Sequence, residues 1–283
     1  MLRQRVVTAV VLLAVLGAAL AWPGPWPFVV VLSVAAGCAL WEWLRLSASD
    51  TPAAALAGAA MTALMLVQAW TWMDGAQPAG MASFSLVVKL LVPLVCAAWL
   101  LGVPAVVVRA RVEPPARSPV LSLFALLAVY AAWASLVLFF LGFGARFVLS
   151  LLALVWLADI AAYFAGRALG RRKLAPRVSP GKTLEGALAG VLAGVAWIAL
   201  TSRWSGTYGH ALAEHWSFGP ALLWAALLAA VSIEGDLFES LLKRRAGRKD
   251  SSGLLPGHGG VFDRIDALLP VAPLALLLSG AVF

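Results

Sequence analysis

The sequence predicts an all-α protein that crosses a membrane many times. Of its 283 residues, 63% are hydrophobic and 12% are charged, whereas soluble domains are about 45–50% apolar and about 25% charged. The mean hydropathy is +0.94, and the apolar residues form runs of about 20, the length that a helix needs to cross a bilayer. Backbone polar groups in hydrocarbon must be hydrogen-bonded within their own segment, so each run is expected to be a helix.

About nine such runs follow one another along the chain. Most contain hardly any charged residue, and the longest polar stretches between them are about 20 residues, so no soluble domain is expected. In chain order, the predicted spans are Val6–Ala21, Phe28–Leu44, Ala53–Trp72, Phe84–Val108, Pro119–Phe140, Phe147–Gly166, Gly186–Thr201, Ala221–Leu242 and Ala267–Phe283.

The positive charges predict the orientation of these spans. If the N-terminus is cytoplasmic, alternate segments hold all but three of the 21 Lys and Arg residues, the exceptions being Lys89, Arg146 and Arg203. Cytoplasmic loops carry an excess of Lys and Arg, so the C-terminus is predicted to be periplasmic. The net charge of +8 is then expected to face anionic lipid headgroups rather than a nucleic acid.

The N-terminus also allows a second interpretation. Arg3 and Arg5 precede an apolar run that ends in the small-residue sequence Ala19–Ala21, a pattern typical of a cleaved signal peptide. Cleavage would leave the remaining topology unchanged, so charge bias does not decide between the two. Cys38 and Cys96 lie in apolar runs and are expected to be core residues, which say nothing about a disulfide or a metal site.

The most informative polar segment runs from Ser240 to Asp266, between two apolar runs. Charged side chains placed against a bilayer are costly and usually functional. Cations suit phosphate groups and carboxylates suit a divalent metal, which indicates phosphoryl or nucleotidyl chemistry at a membrane surface. The candidate residues are Ser240, Lys243, Arg244, Lys249, Asp250, His258, Gly259, Gly260, Asp263, Arg264 and Asp266.

With these residues at this spacing, the segment resembles that of bacterial phosphatidate cytidylyltransferases, also called CDP-diacylglycerol synthases. The resemblance covers about the C-terminal half of the chain, from Asp159 onward. It implies a nucleotidyltransferase of the bacterial inner membrane, which transfers CMP from CTP to phosphatidate at the cytoplasmic face and releases pyrophosphate. It also implies that residues 1–140 shape a lipid cavity and that residues 141–283 form the catalytic region.

Three carboxylates are the predicted metal ligands. Residues four and seven apart share a helix face, so Asp236, Ser240 and Lys243 form one stripe, while Asp263 and Asp266 are predicted to share a face of the last helix. Mg²⁺ takes one or two carboxylates together with phosphate oxygens. Asp236, Asp263 and Asp266 are therefore predicted to hold Mg²⁺, with room for a second cation, and to be catalytic together with Lys243. The alternative for each acid alone is an interfacial salt bridge.

The other polar residues near this segment allow more than one role. Gly259 and Gly260 are expected to form a close turn that presents backbone amides to CTP, while His258 could equally bond a local backbone group. Glu239 belongs to the Asp-Leu-x-Glu-Ser run of the resembled family. Glu234 stands where a smaller or apolar residue is expected, and its role stays open.

A second polar segment contains Ser-Pro-Gly-Lys-Thr, but it is not a P-loop. Walker A requires Gly where Pro176 stands, and a strand before it. Ser179 is instead predicted to cap a helix that begins at Pro180, whose free amides would bind a phosphate together with Lys182. An ordinary capped helix start fits the local pattern equally well, and the resemblance favours the phosphate site.

Asp159, an acid within a predicted span, is expected to contribute to substrate binding, the alternative being a structural pair with a neighbouring helix. A transporter that relays protons through Asp159, Glu234 and Asp236 is a second hypothesis, and a lipid or polyprenol kinase is a third. The concentration of charge in two segments disfavours transport. Exposed apolar faces could form a homodimer, although the Gly186–Gly190–Gly194 stripe suits packing within one chain equally well.

Overall fold

The structure, a computed structural model, describes residues 2–48, 52–74, 78–112 and 118–280. The last three residues of the ninth predicted span lie outside these ranges. The longer helices are α1 (Leu2–Ala21), α2 (Trp26–Ser47), α3 (Pro52–Met73), α7 (Pro119–Leu169), α8 (Leu184–Thr201) and α10 (Phe218–Arg245). The shorter helices are α4 (Pro78–Leu86), α5 (Val92–Ala97), α6 (Val103–Arg109), α9 (Tyr208–Trp216), α11 (Phe262–Ile265) and α12 (Leu268–Leu278).

The helices confirm the predicted class, a multi-pass α-helical membrane protein. Within the described ranges, 7 helices are long and apolar enough to cross a membrane. One of these is α7, whose 51 residues contain two predicted spans and a break at Gly144, where φ is 78°. Glycine tolerates this positive φ because it lacks a Cβ. Since α12 covers only 11 described residues, the count of nine spans and the orientation of the termini stay predictions.

The fourth predicted span is a helical rod made of α4, α5 and α6. Two π-helical turns, Val87–Leu91 and Ala98–Gly102, join these three helices. Pro93 and Pro104 lie at the starts of α5 and α6, directly after the π-helical turns. A proline ring clashes with the carbonyl four residues earlier and offers no N–H, so a widened turn before each proline keeps the rod continuous.

The core near the Ser240–Asp266 segment lies where α2, α7, α10 and α11 meet. Trp43 stacks on Phe262, with ring centroids 5.1 Å apart. It also packs edge-on against Phe238 and Phe124. Aromatic pairs of this kind contribute about 0.5–1.5 kcal/mol each beyond the area they bury. This aromatic cluster therefore holds α11, and the loop before it, against α2.

Two glycines of the α8 stripe, Gly186 and Gly190, pack against α7 in the same chain. A Cβ at Gly186 would lie 2.7 Å from Ala162 O, and one at Gly190 would lie 2.9 Å from Ala158 O. Only glycine permits so close an approach of two helix backbones. These two positions therefore serve packing within the chain, as the sequence analysis considered for the stripe.

The segment before α8 forms a β-hairpin. Strand β1 (Lys173–Ala175) pairs antiparallel with β2 (Ser179–Thr183). The carboxylate of Glu185, in the first turn of α8, accepts hydrogen bonds from the backbone N–H groups of Arg171 at 3.1 Å and Arg172 at 3.2 Å. The hairpin is thus attached at its base to the helix that follows it.

The predicted helix cap at Ser179 is wrong. The helix begins at Leu184, and Thr183 caps it by accepting a hydrogen bond from Gly186 N at 3.1 Å. Ser179 lies instead at the start of β2, followed by Pro180 in extended backbone. Both Ser and Thr hydroxyls cap helices well, so the local pattern could not distinguish the two positions; strand pairing decided between them.

The first helix contacts the glycine-rich loop near the C-terminus. Thr8 Oγ1 donates a hydrogen bond to Pro256 O at 2.9 Å. A Cβ at Gly257, where φ is +76°, would lie 3.2 Å from Arg5 Cγ. These contacts attach α1 to the loop that precedes α11.

Candidate active site

Three carboxylates converge where α10 meets the link between α11 and α12. One oxygen from each of Asp236, Glu239 and Asp266 lies within 4.8 Å of the others, and this set is called the acidic cluster below. Asp236 and Glu239 are three residues apart and so share one face of α10. The backbones approach closely because residue 235 is glycine: a Cβ at Gly235 would lie 2.5 Å from Asp266 O. Two of the predicted metal ligands, Asp236 and Asp266, are thus brought together.

The acidic cluster has the donor set of a divalent-cation site. Glu239 is only 1% exposed, and its Oε1 has no hydrogen-bond partner among the residues that the structure describes. Carboxylates this close repel one another when ionised, so a cation among them would relieve the repulsion. Mg²⁺ prefers carboxylate oxygens together with phosphate oxygens from a substrate. The residues present therefore fit a magnesium ion.

Asp263 lies beside the acidic cluster rather than within it, and its place among the metal ligands with Asp236 and Asp266 stays a prediction. Its Oδ1 lies 2.6 Å from Lys243 Nζ, and its Oδ2 accepts hydrogen bonds from Gly260 N at 2.7 Å and Ser251 N at 2.9 Å. Burial alone would raise the pKa of Asp263, but the Glu239 side chain, Lys243 and the Gly260 amide lower that pKa well below its ordinary value. The loop before α11 wraps its amides around this carboxylate, so Asp263 anchors the loop.

Lys243 connects the acidic cluster to Asp263. Its Nζ lies 2.6 Å from Glu239 Oε2 and 2.6 Å from Asp263 Oδ1, and its side chain is 15% exposed. An ammonium group has three N–H donors, and these two carboxylates engage two of them. Lys243 therefore neutralises the acids on either side and retains a donor that could reach a phosphate.

The β-hairpin supplies a second lysine to the acidic cluster. Lys182 Nζ lies 2.6 Å from Asp236 Oδ2, and Ser240 Oγ donates to Asp236 Oδ1 at 3.3 Å. Arg244 Nε donates to Val178 O at 3.4 Å, which ties the tip of the hairpin to α10. The structure thus brings Lys182 and Ser240 to the cluster and places Arg244 against the hairpin backbone.

Two further predicted residues complete the surroundings of the acidic cluster. Asp159 on α7 interacts electrostatically with Asp236, Lys182 and Arg264. The side chains of Asp159 and Arg264 are both exposed. Lys182 and Lys243 contact the acids directly, and Arg264 interacts electrostatically with Asp159 nearby, an arrangement suited to a metal-bound polyphosphate.

The Pro-Gly-His-Gly-Gly sequence forms a tight loop that closes on itself. Leu255 N donates to Gly259 O at 2.8 Å, and His258 N donates to Leu255 O at 2.9 Å. Gly259 has a φ of +84°, and a Cβ at Gly260 would lie 2.5 Å from each carboxylate oxygen of Glu42. The Gly260 amide donates to the carboxylate of Asp263, contrary to the expectation that this amide is presented to CTP. Here glycine is needed for close approach to buried acids.

The remaining predicted residues lie on this loop, outside the acidic cluster as defined. Lys249 and Asp250 are exposed, and Asp250 packs next to Gly259. His258 is half-buried, and its Nδ1 is buried without a hydrogen-bond partner among the described residues. Their roles in substrate binding stay predictions.

Sequence reasoning missed Glu42 and left the role of Glu239 open. Glu42 lies on α2, is 0% exposed and accepts hydrogen bonds from the loop before α11. An acid within an apolar run is a functional signal, and applying it to Glu42 as it was applied to Asp159 would have found this residue. For Glu239, the three-residue spacing from Asp236 was the available signal.

Comparison with known proteins decides the family. The family model described as "Cytidylyltransferase family" matches residues 3–281. The chain belongs to this family. Three relatives of this chain are named phosphatidate cytidylyltransferase. That of Pseudomonas aeruginosa is 39% identical over 99% of this chain and 98% of the relative. That of Brucella suis is 37% identical over 100% of this chain and 94% of the relative. That of Haemophilus influenzae is 32% identical over 96% of this chain and 96% of the relative.

The similarity to cytidylyltransferases extends beyond the C-terminal half. The sequence motifs indicated a resemblance only from Asp159 onward, but the family model begins at residue 3. The first spans therefore lie within the part of the chain that the family model matches. In the structure, α1 contacts the loop before α11, and α2 contacts that loop and the start of α11.

A Gly260→Ala substitution should destabilise the loop. The added Cβ would lie 2.1 Å from Ser251 Oγ and 2.5 Å from both Glu42 oxygens, and overpacking of this kind typically costs about 1–3 kcal/mol. Thermal unfolding in detergent should show a lower Tm. Gly253→Ala is the matched control, because a Cβ at Gly253 meets nothing within 4 Å. Equal Tm values for the two variants would contradict the packing role of Gly260.

Proposed function

We propose that this protein is a phosphatidate cytidylyltransferase, which transfers CMP from CTP to phosphatidate and releases pyrophosphate. The observation that carries the proposal is the acidic cluster with Lys182 and Lys243 bound to two of its three carboxylates. Acids with cations at their edges suit a metal-bound triphosphate. The full-length relatives named phosphatidate cytidylyltransferase support the same reaction.

In the proposed reaction, an oxygen of the phosphatidate phosphate attacks the α-phosphorus of CTP. A new P–O bond forms to that phosphorus, the bond between it and the α–β bridging oxygen breaks, and pyrophosphate leaves. Because the attacking phosphate is already an anion, the protein needs no Ser-His or Cys-His pair to activate it. The residues of the site therefore contribute by positioning and charge stabilisation.

The side chains divide these tasks between them. Asp236, Glu239 and Asp266 would hold Mg²⁺, and the bound ion would neutralise charge on the triphosphate. Lys182 and Arg264 would contact phosphate oxygens of the substrates. Ser240 orients Asp236 through its hydrogen bond. A second cation, as expected from the sequence, would need further ligands from the substrates.

We further propose that the site opens to the cytoplasm, within the bacterial inner membrane. Lys182, Lys243 and Arg264 lie in the two segments to which the positive charge bias assigns a cytoplasmic location. CTP would then arrive from the aqueous side, while phosphatidate stays in the inner leaflet. A homodimer is compatible with the exposed apolar faces of the described helices.

The experiment that tests the function is a substrate panel. The purified protein is supplied with Mg²⁺, phosphatidate and one nucleotide at a time, and pyrophosphate and labelled lipid are measured. CTP with phosphatidate should give both products, and ATP should give neither. A lipid kinase would instead give a phosphorylated lipid and ADP from ATP. The absence of phosphatidate-dependent product with every nucleotide would overturn the proposal.

Substitutions at the hairpin residues Lys182 and Thr183 should distinguish a role of the hairpin in substrate binding from its role in capping α8. Lys182→Met removes the cation from Asp236 and should lower turnover or raise the KM for CTP by about 10-fold or more. Thr183→Ala removes only the cap of α8 and should lower stability by about 1 kcal/mol. Both variants are compared by CTP saturation and by Tm. If Lys182→Met shifts Tm but leaves kinetics unchanged, the lysine is structural.

A further inference from the structure

Glu42 is a fully buried acid whose role the proposed chemistry does not explain. It lies on α2 and is 0% exposed, whereas the acidic cluster is built from α10 and the chain after α11. A buried carboxylate is strongly unfavourable unless hydrogen-bond donors surround it. The contacts of Glu42 therefore indicate what its presence accomplishes.

Among the described residues, the hydrogen bonds to Glu42 come from the loop that precedes α11 and from the first residue of that helix. Its Oε2 accepts from Phe262 N at 2.6 Å, and its Oε1 accepts from Val261 N at 3.1 Å. The hydroxyls of Ser251 and Ser252 also donate to it, to Oε2 and Oε1 respectively. One carboxylate thus joins the two ends of the loop, residues 251–252 and residues 261–262, and holds them against α2.

The Ser251 hydroxyl extends this contact toward the acidic cluster. Its Oγ lies 3.1 Å from Glu42 Oε2 and 2.8 Å from Asp263 Oδ2. Asp263 in turn lies 2.6 Å from Lys243 Nζ, which lies 2.6 Å from Glu239 Oε2. A continuous chain of short polar contacts therefore runs from Glu42 to a member of the acidic cluster.

We propose that Glu42 is a positioning residue for the transfer reaction, which fixes residues 251–263 and thereby sets the orientation of Lys243 and Glu239. The inference rests on the proposed function of the acidic cluster. Residues that orient metal ligands typically change metal affinity or activity by about 10–100-fold when they are substituted. An effect of this size on activity or metal affinity would distinguish Glu42 from a residue that only contributes to packing.

Glu42→Gln tests the proposal with little change in side-chain volume. The amide retains one acceptor oxygen but directs an NH₂ group toward backbone donors, so it cannot accept all four hydrogen bonds. We expect turnover to fall by about 10–100-fold, with a smaller change in the KM for CTP because no atom of Glu42 reaches the cations that flank the cluster. Glu42→Asp keeps the charge on a shorter stem and should recover part of the loss.

Two readouts do not depend on turnover. Hydrogen–deuterium exchange in detergent should show faster exchange of the peptides that cover residues 251–262 in Glu42→Gln. Stabilisation of the protein by added Mg²⁺ alone, followed as the shift in Tm, should require about 10-fold more Mg²⁺ in this variant. Glu234→Gln is the matched control, since Glu234 is another acid within a helix and does not contact the loop in any recorded hydrogen bond.

The outcomes separate this inference from the proposed function. If the unsubstituted protein transfers no CMP, the proposed function fails, while the exchange and Mg²⁺ measurements still report on Glu42. If Glu42→Gln shows unchanged exchange across residues 251–262 and unchanged dependence on Mg²⁺, the positioning role is overturned. A general loss of stability without a local effect on the loop would also overturn it, because Glu42 would then act only on folding.

Discussion

Asp236→Asn should reduce CMP transfer by at least about 100-fold while the protein stays folded. Asparagine has nearly the same shape, but it removes the negative charge that meets Lys182 at 2.6 Å and that belongs to the acidic cluster. Removal of one of three close carboxylates also relieves repulsion, so stability should not fall with activity. Steady-state turnover and Tm, measured on the same preparation, check the result.

Asp266→Asn and Glu239→Gln should have effects of similar size, since all three acids share the cluster. The Glu239 variant tests the structure most directly, because the sequence alone predicted Asp263, not Glu239, as the third metal ligand. Glu234→Gln is the matched control on the same helix and should retain turnover near that of the unsubstituted protein. Near-normal turnover in Glu239→Gln, together with inactive Asp236→Asn and Asp266→Asn, would remove Glu239 from the metal site.

Lys243→Met should impair both activity and stability, and this is the second large effect. The substitution leaves Glu239 and Asp263 without the cation that they share at 2.6 Å from each. Breaking a largely buried ion pair by removing one partner costs about 3–5 kcal/mol. Turnover should fall by about 100-fold or more, because the orientation of Glu239 and a phosphate donor are lost together.

Lys243→Arg keeps this measurement informative if the methionine variant fails to fold. Arginine restores the positive charge, so the Tm should recover, but its planar fork cannot reproduce the contacts of a compact ammonium group, so turnover should stay low. Arg245→Ala is the control, since Arg245 Nε contacts only Arg111 O in the recorded hydrogen bonds. Loss of turnover in Arg245→Ala with an active Lys243→Arg would reverse the assignment of these two cations.

The membrane class and most helices could be predicted from the sequence because they depend on local composition. Transfer of an apolar run into a bilayer is nearly a sum over its residues, so the runs were visible without knowledge of their neighbours. Residues 119–169 show the limit of this reasoning: two predicted spans are continuous apart from a break at Gly144. The two charged segments were also recognisable, because charges near hydrocarbon are rare enough to mark function.

The partners of each acid could not be predicted in the same way. Asp236, Asp263 and Asp266 were chosen by helical spacing, but Asp263 turns toward Lys243 and the amides of the loop, and Glu239 takes its place in the acidic cluster. Spacing along one helix determines which side chains share a face. Which side chains meet between two helices depends on the rotation and distance of one helix relative to the other. Here the distance between α10 and the chain at Asp266 is set by their close approach at Gly235.

By itself the sequence determined that this chain is a membrane protein of many helices, with acids and cations concentrated in two polar segments, and its motifs indicated the family. Only the tertiary structure decided that β2 pairs with β1 instead of starting a helix. It alone decided that Glu42 closes the loop around Val261, 219 residues away in sequence. The physical reason is that composition and spacing act locally, whereas a buried charge is satisfied by whichever donors folding brings to it.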